Sequence, residues 1–381
     1  MRRLRVLFVL TSPVRGGVEE VALGLLERLD RAEFEPAVAA PAPLLEAFGP
    51  ALAAARVPAL AVQVEDPRRL TEIGRLAAFM RRFRPDVVNP HLFRSTLAAA
   101  PLARGLGIPV VETYHGREGW RLGRSRWAFV PDRLVGRLVD RTIAVSQAAR
   151  DFLVQVKRYP ADRVVVVPNG RDLRAFRPGQ ARLAVRKELG LDAGAPVVGV
   201  VGRLEAQKGH VHLLAAWPAV RREFPDARLL VVGEGRERPD LEARARVAGL
   251  GDSVLFTGFR ADVPRLLDAI DLLALPSLYE GMPLTAIEAS AMARPVVATA
   301  VDGTPEVVRD GVTGLLVPPA DPPALAAAIA RLLRDPARAA EMGRQGRAWV
   351  LERFDVQAHV RATAAVYRAA AGRRSAERDA A

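Results

Sequence analysis

The stretch APVVGVVGRL, residues 195–204, decides how the 381-residue chain is divided. Its valines occupy both faces of an extended segment, so the strand that it predicts is buried on both sides. A similar run, LRVLFVL at residues 4–10, opens the chain. Strands that are apolar on both faces are typical of parallel sheets with helices on each side. A second opening strand in mid-chain therefore predicts a second parallel sheet.

Short apolar runs alternate with longer helical patterns before and after that stretch. This βαβα order predicts an α/β fold of two Rossmann-like, doubly wound domains in tandem. The join between them is placed in residues 168–182, which are rich in turn-forming residues. Ligands of such sheets bind beyond the carboxyl ends of the strands, so two such domains facing each other would form a cleft.

Composition restricts the class of partner. The formal net charge of +13 favours anionic partners such as phosphates or acidic lipids, although a compositional bias toward arginine explains it as well. The chain has no cysteine, which excludes disulfides and thiolate metal sites and fits a cytoplasmic location. No apolar run reaches the length of a membrane span, and residues 1–13 are interpreted as a buried first strand instead of a signal peptide.

The loop after the second opening strand is a candidate for phosphate binding. It carries Arg203 and Lys208 and leads into a predicted helix near Gly209. Two fixed cations at a helix N-terminus suit a diphosphate leaving group, and solvated surface charge is the alternative. The loop after the first strand contains Gly16 and Gly17, whose backbone can approach a ligand closely, although an ordinary strand-to-helix turn explains them too. Neither loop has a P-loop or dinucleotide-binding pattern.

A third loop frames the start of a helix with two carboxylates. LYEGMPLTAIEASA, residues 278–291, places Glu280 before the predicted helix and Glu288 within it. Either Thr285 and Glu288 form a capping box, or Pro283 is the first helical residue. In both cases backbone N–H groups at the helix start can hold phosphate. Glu288 can accept the two hydroxyls of a ribose and Glu280 those of a sugar, so the pair would bind both ends of a nucleotide sugar.

Two histidines follow strands of the first predicted domain. His115 comes directly after the apolar run at residues 108–114, where a neutral imidazole could hydrogen-bond a ligand hydroxyl or phosphate. A histidine satisfied within its own loop is the alternative for His115, and it is the preferred explanation for His91.

In their order and spacing, these segments make the chain resemble the GT-B glycosyltransferases, and specifically glycosyltransferase family 4. The likeness covers nearly all of the chain. It rests on segments that are weak singly and specific together: GGVEE, DVVNPHLF, ETYHG, IAVS, VPNGRD, VGRLEAQKG, VVGEG, FTGF, PSLYEGMPLTAIEASA, PVVATAVDGTPEVV and DGVTGLLVPP.

The resemblance implies a retaining transfer of a sugar from a nucleotide diphosphate sugar, with UDP as the commonest nucleotide, to a glycan, lipid-linked or small-molecule acceptor. It implies no metal and no other cofactor. It also implies an N-terminal acceptor-binding domain at residues 1–175 and a C-terminal nucleotide-sugar domain at 176–355. A last helix at 356–372 would cross back to the first domain, and a flexible tail is predicted at 373–381.

The resemblance also assigns roles to matching positions. Arg203 and Lys208 would stabilise the leaving diphosphate, and the nucleobase would lie near Gly258. Catalytic roles fall on His115, Arg203, Lys208 and Glu280, and donor binding on Gly16, Gly17, Gly258, Arg260, Met282, Leu284, Thr285 and Glu288. Two positions depart from the family pattern. Pro283 stands where many members have glycine, so altered phosphate contacts are expected, and Asn89 stands where relatives often have histidine, so its segment receives no role.

Residues 117–141 raise the question of a membrane contact. A predicted helix there places three arginines on one face, Arg133, Arg137 and Arg141, after the aromatic residues Trp120, Trp127 and Phe129. Such a face could dock on the anionic inner surface of the plasma membrane and reach a lipid-linked acceptor. A solvated arginine face with its aromatic residues in the core is the preferred interpretation. No base-reading motif supports binding to nucleic acid.

Two other functions are compatible with this architecture. A non-hydrolysing nucleotide-sugar epimerase would need acid and base residues facing the sugar from the first domain, and no convincing set is present. A non-catalytic sugar-nucleotide-binding relative is disfavoured because the five charged or ionisable candidates are all intact: His115, Arg203, Lys208, Glu280 and Glu288.

Overall fold

The computed structural model describes residues 2–66, 68–117 and 129–379, with side chains to residue 372. The chain forms two compact units, Met1–Gly170 with Val356–Ala381, and Arg171–Asp355. The sequence predicts this division after residue 175. It lies earlier because the backbone of Arg171 bonds to the carbonyl of Phe354 and pairs with Asp355, both in the second unit.

The first unit alternates strands with helices. Its strands are β1 (Leu4–Val9), β2 (Phe34–Ala40), β3 (Ala59–Ala61), β4 (Val87–Pro90), β5 (Val111–Tyr114), β6 (Arg141–Ala144) and β7 (Val164–Val166). Its helices are α1 (Gly17–Arg28), α2 (Ala42–Ala54), α3 (Leu70–Phe83), α4 (Phe93–Gly105), α5 (Val130–Gly136), α6 (Gln147–Asp151) and, after the second unit, α15 (Val356–Asp379).

The strands of the first unit are all parallel. They form the sheets β3-β2-β1-β4 and β5-β6-β7, and isolated parallel bridges connect the β4 segment to the β5 segment. Alternate residues of β1 pack into different cores, Val6 and Phe8 into one, Leu7 and Val9 into the other. Both faces of this sheet are therefore covered, as its apolar strands predict.

The second unit repeats the pattern. Its strands are β8 (Val197–Val201), β9 (Arg228–Val232), β10 (Val254–Gly258), β11 (Leu272–Leu275), β12 (Val296–Thr299) and β13 (Gly314–Val317). Its helices are α7 (Arg182–Glu188), α8 (His210–Glu223), α9 (Arg238–Val247), α10 (Val263–Ala269), α11 (Leu284–Ala291), α12 (Thr304–Val307), α13 (Pro322–Arg334) and α14 (Pro336–Arg353). The sheet is parallel in the order β10-β9-β8-β11-β12-β13.

The predicted fold class is confirmed. Both units are doubly wound α/β sheets, and β8, the strand predicted within residues 195–204, lies at the centre of the second. Helix α15 returns to the first unit, where Tyr367 is fully buried in the core with Phe8. This helix continues to Asp379, whereas a flexible tail was predicted from residue 373. Its alanine, arginine and glutamate residues favour helix, and no proline interrupts them.

The arginine face predicted for residues 133–141 is wrong. Helix α5 ends at Gly136, and Arg141 is the first residue of β6, where it pairs with Val111 of β5. Sheet pairing therefore overrides the helical spacing of the arginines. Phe129 is buried, as the preferred interpretation expected, and Trp120 and Trp127 lie outside the described residues. No helix in the described ranges has the length and apolar character needed to cross a membrane.

Candidate functional site

Three loops at the carboxyl ends of neighbouring strands supply the charged residues of the second unit's candidate site. They follow β8, β11 and β12, which lie side by side in the sheet. The connections change direction between β8 and β11, because β9 lies on one side of β8 and β11 on the other. Open α/β sheets bind ligands at this kind of position.

Gly209 brings the first two of these loops together. The loop after β8 ends in a 3₁₀ turn, Ala206–Lys208, and Gly209 then precedes α8 with a φ of +64°. A Cβ at this position would lie 2.1 Å from the carbonyl oxygen of Pro276, in the loop after β11. Glycine is required for both the left-handed backbone and the close approach, and the approach places Lys208 beside that second loop.

Lys208 and Glu280 form a largely buried ion pair. Lys208 Nζ lies 2.6 Å from Glu280 Oε1, with the two side chains 16% and 6% exposed. The hydroxyl of Ser277 donates to the same oxygen at 2.7 Å, and the backbone N–H of Glu280 donates to Asp302 Oδ2 at 3.0 Å. The structure thus joins two predicted catalytic residues. Sequence reasoning missed Ser277 and Asp302, although Asp302 follows the neighbouring strand β12.

Arg203 extends from the start of the same loop. Its Nη2 lies 3.5 Å from Gln207 Oε1, and Gln207 also donates its amide to the carbonyl of Tyr279 at 3.1 Å. The backbone N–H of Leu278 donates to the carbonyl of Gln207 at 2.8 Å. Gln207 therefore ties the β8 loop to the β11 loop, while Arg203 itself is exposed. Arg203 and Lys208 therefore belong to one loop at the edge of the sheet where the parallel strands end.

Glu288 pairs with an arginine that sequence reasoning did not single out. Arg171 Nε lies 2.7 Å from Glu288 Oε1, and the glutamate side chain is 7% exposed. Arg171 also lies over the ring of Phe176, 5.9 Å from its centroid. The VPNGRD segment contains Arg171, but nothing in the sequence shows that it meets a residue of α11. A carboxylate so held is oriented before any ligand binds.

The start of α11 differs from both sequence alternatives. Pro283 is the N-cap, with φ −74° and ψ 108°, and not the first helical residue, which is Leu284. No side chain caps the helix, so the predicted capping box of Thr285 and Glu288 is absent. The buried hydroxyl of Thr285 has no hydrogen-bond partner in the described part of the chain. Met282 and Leu284 have buried side chains, so their backbone N–H groups are what they can offer a phosphate.

The first unit holds three of the predicted residues. Gly16 is the extended N-cap of α1, and Gly17 is its first residue, which gives the loop after β1 the same strand-to-helix form. His115 follows β5 directly, and its Nε2 lies 2.9 Å from Nδ1 of His91. Burial and then the charge of His359 lower the pKa of His115 to about 3, so its imidazole is neutral at pH 7.

Gly258 and Arg260 do not join the Lys208–Glu280 pair. Gly258 is the last residue of β10 and Arg260 follows it, and β9 separates β10 from β8 in the sheet. The guanidinium of Arg260 is held by Asp262, at 2.7 Å, and by Glu188, at 2.8 Å. These carboxylates raise the pKa of Arg260. Arg260, predicted near the nucleobase, therefore already donates hydrogen bonds to two carboxylates. Sequence reasoning did not connect either of them to it.

Similar solved structures show the fold. The structure of Anabaena HepE in complex with UDP and glucose matches with a TM-score of 0.85 at 24% identity, covering 96% of this chain and 100% of that one. The common architecture is that of the GT-B glycosyltransferases, two doubly wound α/β units in one chain. The candidate site described above, with Arg203, Lys208 and two glutamates, belongs to the second of these units.

The sequence matches identify the family. The model "Glycosyltransferase Family 4" matches residues 15–175, and "Glycosyl transferases group 1" matches residues 195–335. The D-inositol 3-phosphate glycosyltransferase of Segniliparus rotundus is 38% identical over 76% of this chain and 67% of its own length. A GDP-mannose-dependent α-(1-6)-phosphatidylinositol monomannoside mannosyltransferase of Mycolicibacterium smegmatis is 36% identical over 67% of this chain and 69% of its own. The chain belongs to glycosyltransferase family 4 and is an enzyme that uses nucleotide-sugar donors.

Proposed function

We propose that the protein transfers a sugar from a UDP-sugar to a glycan, lipid-linked or small-molecule acceptor, with retention of configuration and without a metal ion. The observation that carries the proposal is the Lys208–Glu280 pair, one cation and one carboxylate 2.6 Å apart in a largely buried position. A diphosphate requires the cation, and the hydroxyls of the adjoining sugar require the carboxylate.

The proposed step exchanges one C–O bond for another at the anomeric carbon. The bond from C1 to the diphosphate oxygen breaks, and the electron pair leaves with the nucleoside diphosphate. A bond from C1 to the acceptor hydroxyl oxygen forms on the same face, and the hydroxyl proton passes to the departing phosphate oxygen. Lys208 and Arg203 offset the negative charge that develops on the leaving group, and such fixed charges are most effective in a partly buried site.

The Lys208 ammonium group can serve both partners at once. It has three N–H donors, of which one is directed at Glu280, so the others can bind phosphate oxygens. Glu280 receives a second bond from Ser277 on the same oxygen, Oε1. Its other oxygen, Oε2, can then accept a sugar hydroxyl. Because Lys208 would bind both Glu280 and the diphosphate, Glu280 would hold the sugar at a fixed distance from the diphosphate.

Glu288 is the proposed ribose ligand. A carboxylate has about four lone-pair directions, and the ion pair with Arg171 uses Oε1. We propose that this carboxylate also accepts the ribose 2′- and 3′-hydroxyls, which its two oxygens suit. Backbone N–H groups at the start of α11, together with the Thr285 hydroxyl, would hold phosphate oxygens between the two glutamates.

The nucleotide and the acceptor are proposed from different observations. Solved structures of similar fold were obtained with UDP or UDP-glucose, which favours UDP. The mannosyltransferase relative is named for GDP-mannose, so GDP is the main rival. Relatives named for inositol phosphate and for a phosphatidylinositol mannoside support small-molecule and lipid-linked acceptors alike. A cytoplasmic location is part of the proposal, and a peripheral membrane contact has no three-arginine helical face to support it.

A product-based assay tests the proposal. The protein is incubated with UDP-, GDP-, ADP- and TDP-sugars and a panel of polyol, glycan and glycolipid acceptors, with and without EDTA. Release of nucleoside diphosphate is measured, and the anomeric proton coupling of the product is read by NMR. Glu280→Gln serves as the site variant and Glu341→Gln, a glutamate of α14 whose side chain is 38% exposed, as its matched control.

The expected result is acceptor-dependent release of UDP that EDTA does not reduce, with the product in the anomeric configuration of the donor. Glu280→Gln should lose most of this turnover, and Glu341→Gln should retain it. An inverted product would overturn the retaining assignment. Loss of activity in EDTA, restored by a divalent ion, would overturn metal independence. Turnover with GDP-sugars alone would replace UDP with its rival.

A further inference from the structure

A buried polar network in the first unit connects the end of β4 to helix α15. Asn89, His91 and Tyr367 are at most 1% exposed, and the network ends at His115, which is partly buried. The rings of Phe8 and Tyr367 meet edge to face, and Phe8 also lies against His91, so the network is enclosed by packed aromatic rings. Sequence analysis gave Asn89 no role.

Backbone chemistry fixes the orientation of the Asn89 amide. Its Nδ2 donates to the carbonyl of Val111 and, at 2.9 Å, to the hydroxyl of Thr113. A carbonyl oxygen can only accept, so the amide nitrogen, and not the amide oxygen, must face Val111. Asn89 Oδ1 therefore faces the Tyr367 hydroxyl at 2.7 Å and His91 Nε2 at 2.9 Å.

The amide orientation determines which histidine nitrogens carry protons. Asn89 Oδ1 can only accept, so His91 must carry its proton on Nε2. A neutral imidazole has one N–H, so Nδ1 of His91 is an acceptor. Its partner at 2.9 Å is Nε2 of His115, which must then be the donor. His115 is left with an unprotonated Nδ1, which can accept a hydrogen bond but cannot donate one.

Both imidazoles must be neutral for this assignment of protons to hold. Burial, followed by the charges of His115 and His359, lowers the pKa of His91 well below its usual value. The pKa of His115 is lowered to about 3 and that of His359, on α15, to about 4. Burial raises the pKa of the Tyr367 hydroxyl, which stays protonated and keeps donating to Asn89. These four groups are thus all neutral near pH 7.

We propose that Asn89 is a positioning residue, which fixes the proton on Nε2 of both His91 and His115 so that His115 offers Nδ1 as a hydrogen-bond acceptor. The inference rests on the proposed glycosyl transfer for its ligand. An acceptor nitrogen suits a hydroxyl of the sugar or of the acceptor molecule. It does not suit a phosphate oxygen, which is itself only an acceptor. Of the two roles that the sequence left open for His115, the network therefore favours binding a hydroxyl over binding a phosphate.

Nitrogen-15 NMR of the whole protein with labelled histidine tests the proposal directly. The chain has five histidines, and single substitutions assign their signals. Long-range proton–nitrogen correlations distinguish the Nε2–H tautomer, the Nδ1–H tautomer and the imidazolium. We expect His91 and His115 of the unaltered protein to be Nε2–H tautomers at pH 7. An Nδ1–H tautomer or an imidazolium at His115 would overturn the proposal without any variant.

Two variants separate the role of Asn89 from general packing. Asn89→Leu removes the acceptor, so His91 and His115 should populate both tautomers, and kcat should fall about three- to tenfold, as expected for one weakened hydrogen bond. UDP affinity should not change. Tyr367→Phe removes a bond to the same amide oxygen but leaves the His91 bond, so the tautomers should stay as in the unaltered protein.

Unchanged tautomers in Asn89→Leu would overturn the role of Asn89, and altered tautomers in Tyr367→Phe would show that packing, not the amide, sets them. If Asn89→Leu does not fold, the tautomers of the unaltered protein and of Tyr367→Phe still decide the question. The outcome is independent of the proposed function, because NMR reports tautomers whether or not sugar transfer is found.

Discussion

Replacing Glu288 by glutamine should weaken binding of the bare nucleotide. The substitution keeps the volume of the side chain and one acceptor oxygen, but it removes the charge. Glu288 is 7% exposed at the side chain and held by Arg171 at 2.7 Å, so its hydrogen bonds form in a largely desolvated position. A hydrogen bond to a charged group contributes about 1.5–3 kcal/mol.

The expected change follows from one such bond. Glutamine keeps one acceptor oxygen, so we count the loss of a single charge-assisted bond to the ribose, not two. A loss of about 1.5–3 kcal/mol corresponds to a rise in the Kd of UDP of about 10- to 150-fold. Isothermal titration calorimetry of UDP with the purified protein measures it. Thermal unfolding of the same samples shows whether the loss of the Arg171 partner has altered the fold.

Two further glutamate variants make the measurement specific. Glu280→Gln should reduce turnover strongly and the affinity for bare UDP by less than Glu288→Gln does, because Glu280 is assigned to the sugar. Glu341→Gln, on the surface of α14, should change neither. If Glu288→Gln binds UDP within about twofold of the unaltered protein, or if both site variants lose equal affinity, the ribose assignment is wrong.

Three further predictions concern other ionisable side chains: those of Lys208, Lys157 and His210. Lys208→Met should lower kcat about 10²- to 10³-fold in the transfer assay, because the leaving group loses a fixed cation. Lys187→Met, an exposed control, should not lower kcat. Equal effects of the two variants would refute the assignment of Lys208 to the leaving diphosphate. Lys157→Met should lower the free energy of unfolding, measured by chemical denaturation, by about 3–5 kcal/mol. The reason is that the buried carboxylate of Asp132, 2.6 Å from Lys157 Nζ, would lose that cation. A decrease below about 1 kcal/mol would contradict this. Burial and then the charge of Lys208 lower the pKa of His210 to about 4, so the unfolded chain binds its proton first as pH falls below about 6.5. The free energy of unfolding should therefore fall between pH 6.5 and pH 4, by at most about 1.4 kcal/mol per pH unit for this histidine, and His210→Leu should show a shallower slope in denaturation at each pH.

The sequence predicted what depends on local pattern. Apolar strands of the β8 type predicted two parallel, doubly wound sheets, and these are confirmed. The loops after β8 and β11 could be placed at one edge of one sheet because parallel strands end there. The meeting of Lys208 with Glu280 follows from that placement and from Gly209, whose lack of a Cβ allows the loops to touch.

The sequence did not predict contacts that depend on the exact path of the chain. Arg171 lies in an irregular segment, and nothing local shows that it reaches Glu288. Asn89 was set aside because it departs from the family pattern, and nothing local shows that its amide oxygen meets both His91 and Tyr367 of the returning helix. Arg141 was placed on a helical face by its spacing, but the pairing of β6 with β5 overrides that spacing. Tertiary contacts, not propensity, decide each of these positions.

The most direct measurement is a thermal-shift panel of UDP, GDP, ADP, TDP and NAD, each without and with magnesium. A ligand that binds the folded protein at about 100 times its Kd stabilises it by about 2.7 kcal/mol and raises the melting temperature. We expect a clear shift with UDP that does not require magnesium and that Lys208→Met reduces. A shift with NAD alone would contradict the claim that the second unit is a nucleotide-sugar site. So would the absence of a shift with every nucleoside diphosphate, with or without magnesium.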